Sequence, residues 1–551
     1  MHPQRTVSIL VTAASLMIAC ADPGVTHDEL TDREDFSQES YPPEQQSEAY
    51  KQQNRNAIAR IVEGNADAAI QHFSQYLQTY RADLESLYGL AVAYAQKGDI
   101  DTALDYARRA VEASLPIERF LAGPRELLRP LGESPGFQEL AQERERELLH
   151  GPLLGDVTDR SARFWVRTAH EVPVQVMVSP SQDMTDPLQS DVVNSRAGDD
   201  FTAVVSVSGL QADTDYHYKL TIDGEEQPQQ WSFRTFPAEG SPAAFQVGFG
   251  GGAGYTPWYE RIWTTIASHH LPAFLQLGDN VYIDHPEMPA VQQYCYYRRQ
   301  SRPEYRAVTA SSAIFAIWDD HDFTVNDGWG GPEVETPAWK VPVWELFRDN
   351  WNNPYYGGGR SQPGCWFDFS IADVDFFMLD GRYYRTDPRT ENPSMLGPVQ
   401  KAWLFNRLKS SNATFKIIAS DVPMASGTKP GSRDTWDGYA QEREEIFSFL
   451  EENKIDGVFI IAADRHRSDA WKIERPDGYD LYEFQSSRLT NVHTHQLMPK
   501  ALFGYNEKCS FGLLTFDTAR PDPEVSYQIV NIDNEVVHSL TLKLSQLSHP
   551  K

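Results

Sequence analysis

Three short segments of this chain place hard metal ligands directly behind apolar runs. Gly278-Asp279-Asn280-Val281-Tyr282 follows Ala273 to Leu277, Trp318-Asp319-Asp320-His321-Asp322 follows Ala313 to Ile317, and Asp464-Arg465-His466 follows Gly457 to Ala462. Carboxylate, phenol and imidazole are oxygen and nitrogen donors suited to Fe, Mn, Ca or Zn. The same residue types have metal-free uses: paired carboxylates acting as general acid and base, as in glycosidases, or a buried salt network. Neither use explains why Asp279, Asp320 and Asp464 each follow a separate apolar run. Carboxylates forced together repel unless protons or cations neutralise them, and a bound cation is the simplest solution.

The elements that must deliver these groups are short. Runs rich in Ile, Val, Phe and Leu that end at once in acidic residues read as buried strands. In open α/β sheets, ligands bind outside the carboxyl ends of such strands. From Ala244 onward, strands alternate with helices. Strands are predicted over Phe245 to Phe249, Phe274 to Leu277, Phe376 to Leu379, Phe415 to Ile418 and Val458 to Ala462. Helices are predicted over Trp258 to His269, Val399 to Ser410 and Ala440 to Asn453. This alternation gives an α/β domain. The last segments, Gly512 to Asp517, Val525 to Val530 and Val537 to Leu542, look antiparallel, so a mixed sheet system is expected.

Upstream, the pattern changes twice. Alternating strands between about Gly151 and Phe236 suggest a β-sandwich, and the run from Leu210 through Thr214, Tyr216 and Tyr218 resembles fibronectin type III domains. Before that, Gly64-Asn65-Ala66-Asp67-Ala68-Ala69-Ile70 recurs as Gly98-Asp99-Ile100-Asp101-Thr102-Ala103-Leu104 at a period of thirty-four residues. That is the tetratricopeptide spacing. Such a module offers a peptide-binding groove, or else serves as a spacer or packing partner of the α/β domain. Residues 21–50 are polar and acidic and read as a disordered tether. The apolar stretch Val7 to Ile18 is too short to span a bilayer and fits a secretory signal. Its end, Met17-Ile18-Ala19-Cys20, resembles a bacterial lipobox, which implies lipidation of Cys20. The expected division is a lipoprotein signal over 1–20, a linker over 21–50, a tetratricopeptide-like helical domain over 51–149, a fibronectin III-like β-sandwich over 150–238 and the α/β domain over 239–547.

Length and charge bound the rest. A chain of 551 residues holds several cores. Its net charge of -29, with no Lys/Arg-rich run, argues against nucleic acid or an anionic membrane face as the main partner. With Cys20 lipidated, Cys295, Cys365 and Cys509 allow at most one internal disulfide and fit no zinc ribbon. Buried single thiols are the expected state.

Together the three segments resemble the calcineurin-like metallophosphoesterases, and within them the alkaline phosphatase D family. Supporting blocks are Met378 to Arg385, Leu396 to Leu404 and Trp436-Asp437-Gly438-Tyr439. The resemblance implies an α/β (α+β) metallophosphoesterase sandwich, preceded by the all-β and all-α domains. It further implies an exported phosphoester hydrolase of the alkaline phosphatase or phosphodiesterase type, on the periplasmic side of a bacterial membrane or secreted. In that reading Asp279, Tyr282, Asp320, Asp464 and His466 hold the metals, with Asn326 as a further candidate. The metals are Fe and/or Ca, with Mn or Zn as alternatives, and a metal-bound hydroxide is the nucleophile. His321 faces the substrate and assists the leaving group. Asp319 accepts from His321 or reaches a water, and Arg382 pairs with phosphate oxygens or with Asp380. Arg467 has the same choice between phosphate and Asp469. The implied substrate is a phosphomonoester or phosphodiester. A protein partner at the helical repeats remains open.

The resemblance breaks at Gly248-Phe249-Gly250-Gly251-Gly252-Ala253-Gly254, where Gly252 stands in place of a metal-binding cysteine. Glycine supplies no ligand, so the run is expected to offer a backbone N–H nest toward phosphate instead. The same break supports an alternative reading, a degenerate phosphoesterase fold acting as a binding or scaffold protein. His493-Thr494-His495 follows a loop-like Thr490-Asn491 and reads as a polar loop at the site mouth, with metal binding as the alternative.

Overall fold

Gly64 and Gly98 both take positive φ (82° and 79°) and end helices, Asn54–Val62 and Leu84–Gln96. The next residues start new ones: Asn65 accepts from the Ala68 N–H ahead of Ala66–Thr79, and Asp99 accepts from Thr102 N–H ahead of Ile100–Glu112. The thirty-four-residue period is therefore a repeated stop and start signal, a left-handed C-terminal glycine followed at once by an Asx N-cap. Helices Glu118–Ala122, Arg125–Gly132 and Pro135–Gln142 complete this region. The computed structural model describes residues 52–142 and 147–550. The segment read as a signal, Cys20 and the stretch over 21–50 read as a tether lie outside them.

The helical region is packed on the C-terminal α/β half. Glu85 accepts from the Tyr294 hydroxyl at 2.6 Å and pairs with Arg119 at 3.3 Å. Tyr88 lies against Tyr294 with centroids 6.0 Å apart. Burying a carboxylate demands such partners, so Glu85 ties the two regions together.

Strands follow. Leu148–Gly155, Ser161–Thr168 and Thr202–Ser208 form one antiparallel sheet, and Pro173–Ser179 pairs with Asp215–Ile222 in a second. The Tyr216 hydroxyl accepts from Gln211 N–H at 2.9 Å, closing the bend that the sequence marks. This region also docks on the α/β half, with Tyr218 donating to the Ala310 carbonyl and Asn352 to those of Leu153 and Arg163.

From Ala244 two mixed sheets face each other. The first runs in the order Ala313–Ile317, Ala273–Leu277, Ala244–Gly250, Ser510–Asp517, Glu524–Asn531, Val536–Lys543; its first three strands are parallel and the rest antiparallel. The second runs Phe367–Ile371, Val374–Met378, Phe415–Ser420, Val458–Ala462, Leu481–Ser486, Ser468–Ile473, Phe503–Tyr505, with four parallel strands from Val374 to Leu481 in that order. Phe516 of the first sheet meets Phe376, Phe415 and Phe459 of the second. The four strands Ala273–Leu277, Ala313–Ile317, Phe415–Ser420 and Val458–Ala462 are wholly buried, as their mainly apolar runs require, and Ala244–Gly250 is buried from Val247 onward.

One predicted helix is broken. Trp258 to His269 splits into a turn at Pro257–Tyr259 and a helix at Ile262–Ala267. Glu260, at the break, turns inward to Trp263 Nε1 (2.9 Å) and Arg299 (3.2 Å), which a continuous surface helix would not allow. Cys295, Cys365 and Cys509 are free and buried.

Candidate active site

The three motif segments leave their strands at one edge and their side chains converge. A ligand atom from each of Asp279, Asp320 and His321 lies within 4.8 Å of the others. The Tyr282 hydroxyl lies 2.9 Å from His466 Nε2, which is 3.8 Å from Asp279 Oδ2. Asn491 donates to the Tyr282 hydroxyl at 2.8 Å. Five of the expected residues thus share one cluster: Asp279, Tyr282, Asp320, His321 and His466.

The loop that carries Asp279 and Tyr282 is bent by unusual backbone. Asp279, Tyr282 and Asp284 all have φ near +55°, a region that non-glycine residues occupy only when the surroundings hold them there. Asp322 does much of the holding: its carboxylate accepts the N–H groups of Asn280, Val281 and Tyr282 at 2.8, 2.9 and 3.3 Å. The His321 carbonyl accepts from Ile283 and Asp284 on the other side. Asp322 is therefore a frame for the loop, and the sequence offered it only as the last residue of a motif.

Electrostatics are those of a crowded acidic site. Burial pushes Asp279 well above the usual carboxylate range, opposed by His321 and reinforced by Asp320 and Asp322. Burial likewise raises Asp319, against the pull of Arg382. His321 is pushed up to about 10; burial opposes the shift, and the Asp320, Asp279 and Asp284 carboxylates outweigh it. Asp279 Oδ1 and Asp319 Oδ2 are buried with no hydrogen-bond partner among the described residues. Such oxygens are normally satisfied, and a cation satisfies a carboxylate as well as a donor does. The donor set and the orphaned oxygens fit a metal ion.

His321 is oriented by a residue the sequence did not single out. Its Nδ1 lies 2.5 Å from Asp284 Oδ1, and its ring stacks on Tyr282 with centroids 4.6 Å apart. Asp319, expected as its acceptor, instead takes Arg382 Nε at 2.6 Å. Arg382 is wholly buried and also pairs with Asp434 at 2.8 Å and Asp421 at 3.4 Å. Surrounded by three carboxylates, its guanidinium has no face left for phosphate. Arg467 pairs with Asp469 at 2.6 Å.

Other expectations shift by a residue or two. Asn326 sits on an exposed turn, and the group that reaches Asp320 is its neighbour Asp327, whose N–H donates to Asp320 Oδ2 at 2.5 Å. Asp320, Asp327 and Asp434 form a second group of close acidic oxygens. Asp434 is already neutralised there: against its burial, Arg382, Arg385 and Lys429 hold it well below the usual carboxylate range. Asp464 does not join Asp279 and Asp320; its carboxylate pairs with Arg465 at 3.2 Å. His466 instead gathers with His493 and His495, ring centroids 5.4 and 5.3 Å away, in a third group of close ligand atoms.

The glycine run is not a nest. The N–H groups of Gly251, Gly252 and Ala253 are taken by the carbonyls of Ser486, Gly278 and Asp279. Gly252 has φ +66°, and a Cβ there would sit 2.1 Å from the Ser487 carbonyl oxygen and 3.3 Å from His466 Cδ2. The backbone has closed over the place where a side-chain ligand would stand.

Residues 247–504 match the family model of PhoD-like phosphatases. This stretch is similar to the PhoD-like phosphatases. It contains every residue of the acidic cluster. Residues 145–240 match a domain of unknown function (DUF7800). Alkaline phosphatase D of Bacillus subtilis (strain 168) is 24% identical over 378 residues, covering 58% of this chain and 64% of that protein. The chain thus spans a little under two thirds of the length of this curated relative. Among solved structures, that of PhoD superposes with a TM-score of 0.61 at 19% identity, covering 72% of this chain and 91% of the other. The purple acid phosphatase PPD1 from yellow lupin (Lupinus luteus) seeds gives 0.53 at 12%, covering 72% and 75%. At these identities both likenesses speak for the fold alone.

Proposed function

We propose that this chain is an exported, metal-dependent phosphoester hydrolase. The observation that carries the reading is the meeting of Asp279, Asp320 and His321 beside Tyr282 and His466, at strand ends of a PhoD-like domain, with buried carboxylate oxygens left unpaired. Asp279, Tyr282, Asp320, Asp464 and His466 would hold divalent or trivalent ions, Fe or Ca first, with Mn and Zn as alternatives; the Asp464 Oδ2 that meets Arg465 leaves its other oxygen for an ion. When bound, such ions supply a water deprotonated near neutral pH and positive charge beside the phosphoryl oxygens.

The remaining steps belong to the chain's own groups. Asp284 holds His321 Nδ1, so Nε2 is the atom that exchanges a proton with substrate. From there His321 protonates the departing alkoxide or aryloxide. Tyr282, stacked on the imidazole, fixes its plane. Arg382 acts at a distance, holding Asp319 in place rather than gripping phosphate. The organisation that accompanies this reading is a lipid-anchored signal with Cys20 over 1–20, a tether over 21–50, a tetratricopeptide-like segment over 51–149, a fibronectin III-like segment over 150–238 and the hydrolase over 239–547.

A second reading, a phosphoesterase fold retained for binding, draws on Gly252, where backbone replaces a ligand. One assay separates the two. Protein purified without chelators, with its metals measured, is given p-nitrophenyl phosphate and bis(p-nitrophenyl) phosphate. Catalysis predicts nitrophenol release from at least one ester, lost in His321→Ala; folded, metal-loaded protein inert toward both favours the binding reading.

A further inference from the structure

The first helix of the N-terminal region, Asn54–Val62, sends one side chain into the neighbourhood of the active centre. Arg55 is almost fully buried. Its Nη1 donates to the Tyr282 carbonyl at 2.7 Å, and its Nη2 forms a short ion pair with Asp284 Oδ2. The other oxygen of the same carboxylate, Oδ1, holds His321 Nδ1. Beside this contact Asn56 Oδ1 lies 3.0 Å from His285 Nε2. Arg55 and Asp284 are 229 residues apart in the chain.

We propose that Arg55 is a positioning residue for His321, acting through Asp284, and that the helical region is thereby a working part of the hydrolase. The chemistry follows from the geometry. A guanidinium on the second oxygen of the Asp284 carboxylate restrains its rotation, since a charged, forked donor fixes the carboxylate plane. The same guanidinium takes the Tyr282 carbonyl, so it pins two of the three left-handed residues in the 279–284 loop. Tyr282 stacks on the His321 ring and Asp284 holds its Nδ1. Both are thus set from outside the PhoD-like domain. This inference rests on the phosphoesterase reading for its kinetic consequences and on the geometry alone for its structural ones.

The test uses the full chain and four variants: Arg55→Ala, Arg55→Lys, Asp284→Asn and, as a control at the same interface, Asn56→Ala. On nitrophenyl esters, Arg55→Ala should lower kcat on the order of tenfold to a hundredfold, the scale of a mispositioned catalytic group, with KM little changed. Arg55→Lys should recover part of that loss, added guanidinium ion should recover part of it in Arg55→Ala, and Asn56→Ala should keep the unsubstituted rate. The second readout is the low-field proton resonance of a short Nδ1–H to carboxylate bond: present in the unsubstituted protein, absent in Asp284→Asn, and shifted or broadened in Arg55→Ala. Because Glu85, Tyr88 and Tyr294 still join the two regions, Arg55→Ala should fold; if it does not, Arg55→Lys and Asp284→Asn decide the matter. A folded Arg55→Ala with kcat within about twofold of the unsubstituted enzyme overturns the proposal, as does an unshifted proton resonance. If the unsubstituted protein hydrolyses neither ester, the functional reading fails, and the resonance alone still decides the role of Arg55.

Discussion

Asp284 Oδ1 sits 2.5 Å from His321 Nδ1, and this contact leaves Nε2 as the nitrogen that the proposed mechanism turns toward substrate. A ring whose Nδ1–H is committed to a carboxylate has a defined tautomer and orientation. Replacing Asp284 with Asn keeps the shape but removes the charge and allows the wrong end of the amide to face the ring. Asp284→Asn should lower kcat about 10- to 100-fold, as loss of such orienting partners does, with steady-state kinetics on an aryl phosphate as the check. His321→Ala should fall further, by at least about a hundredfold.

Arg382 behaves differently in this account. Its guanidinium is enclosed by Asp319, Asp434 and Asp421, so removing it leaves buried carboxylates uncompensated. Arg382→Ala should lower stability by about 3 to 5 kcal/mol, measured by urea denaturation. A substrate-binding arginine would instead raise KM with stability unchanged.

Restoring a thiol at Gly252 should not rebuild a ligand. Gly252→Cys forces a side chain onto a φ of +66° and a Cβ to within 2.1 Å of the Ser487 oxygen. The expected result is a lower melting temperature, from about 1 to 3 kcal/mol of strain, without added metal in elemental analysis. A gain of one metal per chain with no loss of stability would show that the glycine run is a simple ligand deletion.

Glu483 provides a pH test away from the cluster. Burial pushes its carboxyl up to about 7, with the Ala425 and Met424 N–H groups and Gln485 opposing. The folded pKa lies above the unfolded one, so the folded state keeps this proton longer. Its contribution is complete below about pH 4.5 and is lost as pH rises through about 7. Glu483→Gln should therefore lose less stability than the unsubstituted chain between pH 5 and pH 8, by about 3 kcal/mol. Urea midpoints at the two pH values measure this.

The strand ends could be read from sequence because each is an unbroken apolar run closed by acids, and burial on both faces demands that pattern. Val458–Ala462 matches the prediction residue for residue. The repeat at Gly64 and Gly98 was legible for the same kind of reason, since helix ends carry their own local signals. What escaped depends on direction and distance. Asp284 and Asp322 do their work through a loop of left-handed residues whose bend no periodicity encodes. Asp319 and Arg382 were recognised as chemical groups, but their mutual pairing follows from how two sheets face each other. The shift from Asn326 to Asp327 is one of turn geometry. Arg55 lies outside the domain altogether, where sequence reading saw a groove, a spacer or a packing partner and no residue that reaches the site.

The most direct test of the central claim is turnover of an aryl phosphate by chelator-treated protein, with metal content measured on the same sample. The account predicts that metal-free protein is inactive, that adding back Fe, Ca, Mn or Zn restores turnover, and that Asp279→Asn is not restored. Full activity in protein free of metal by elemental analysis would contradict it.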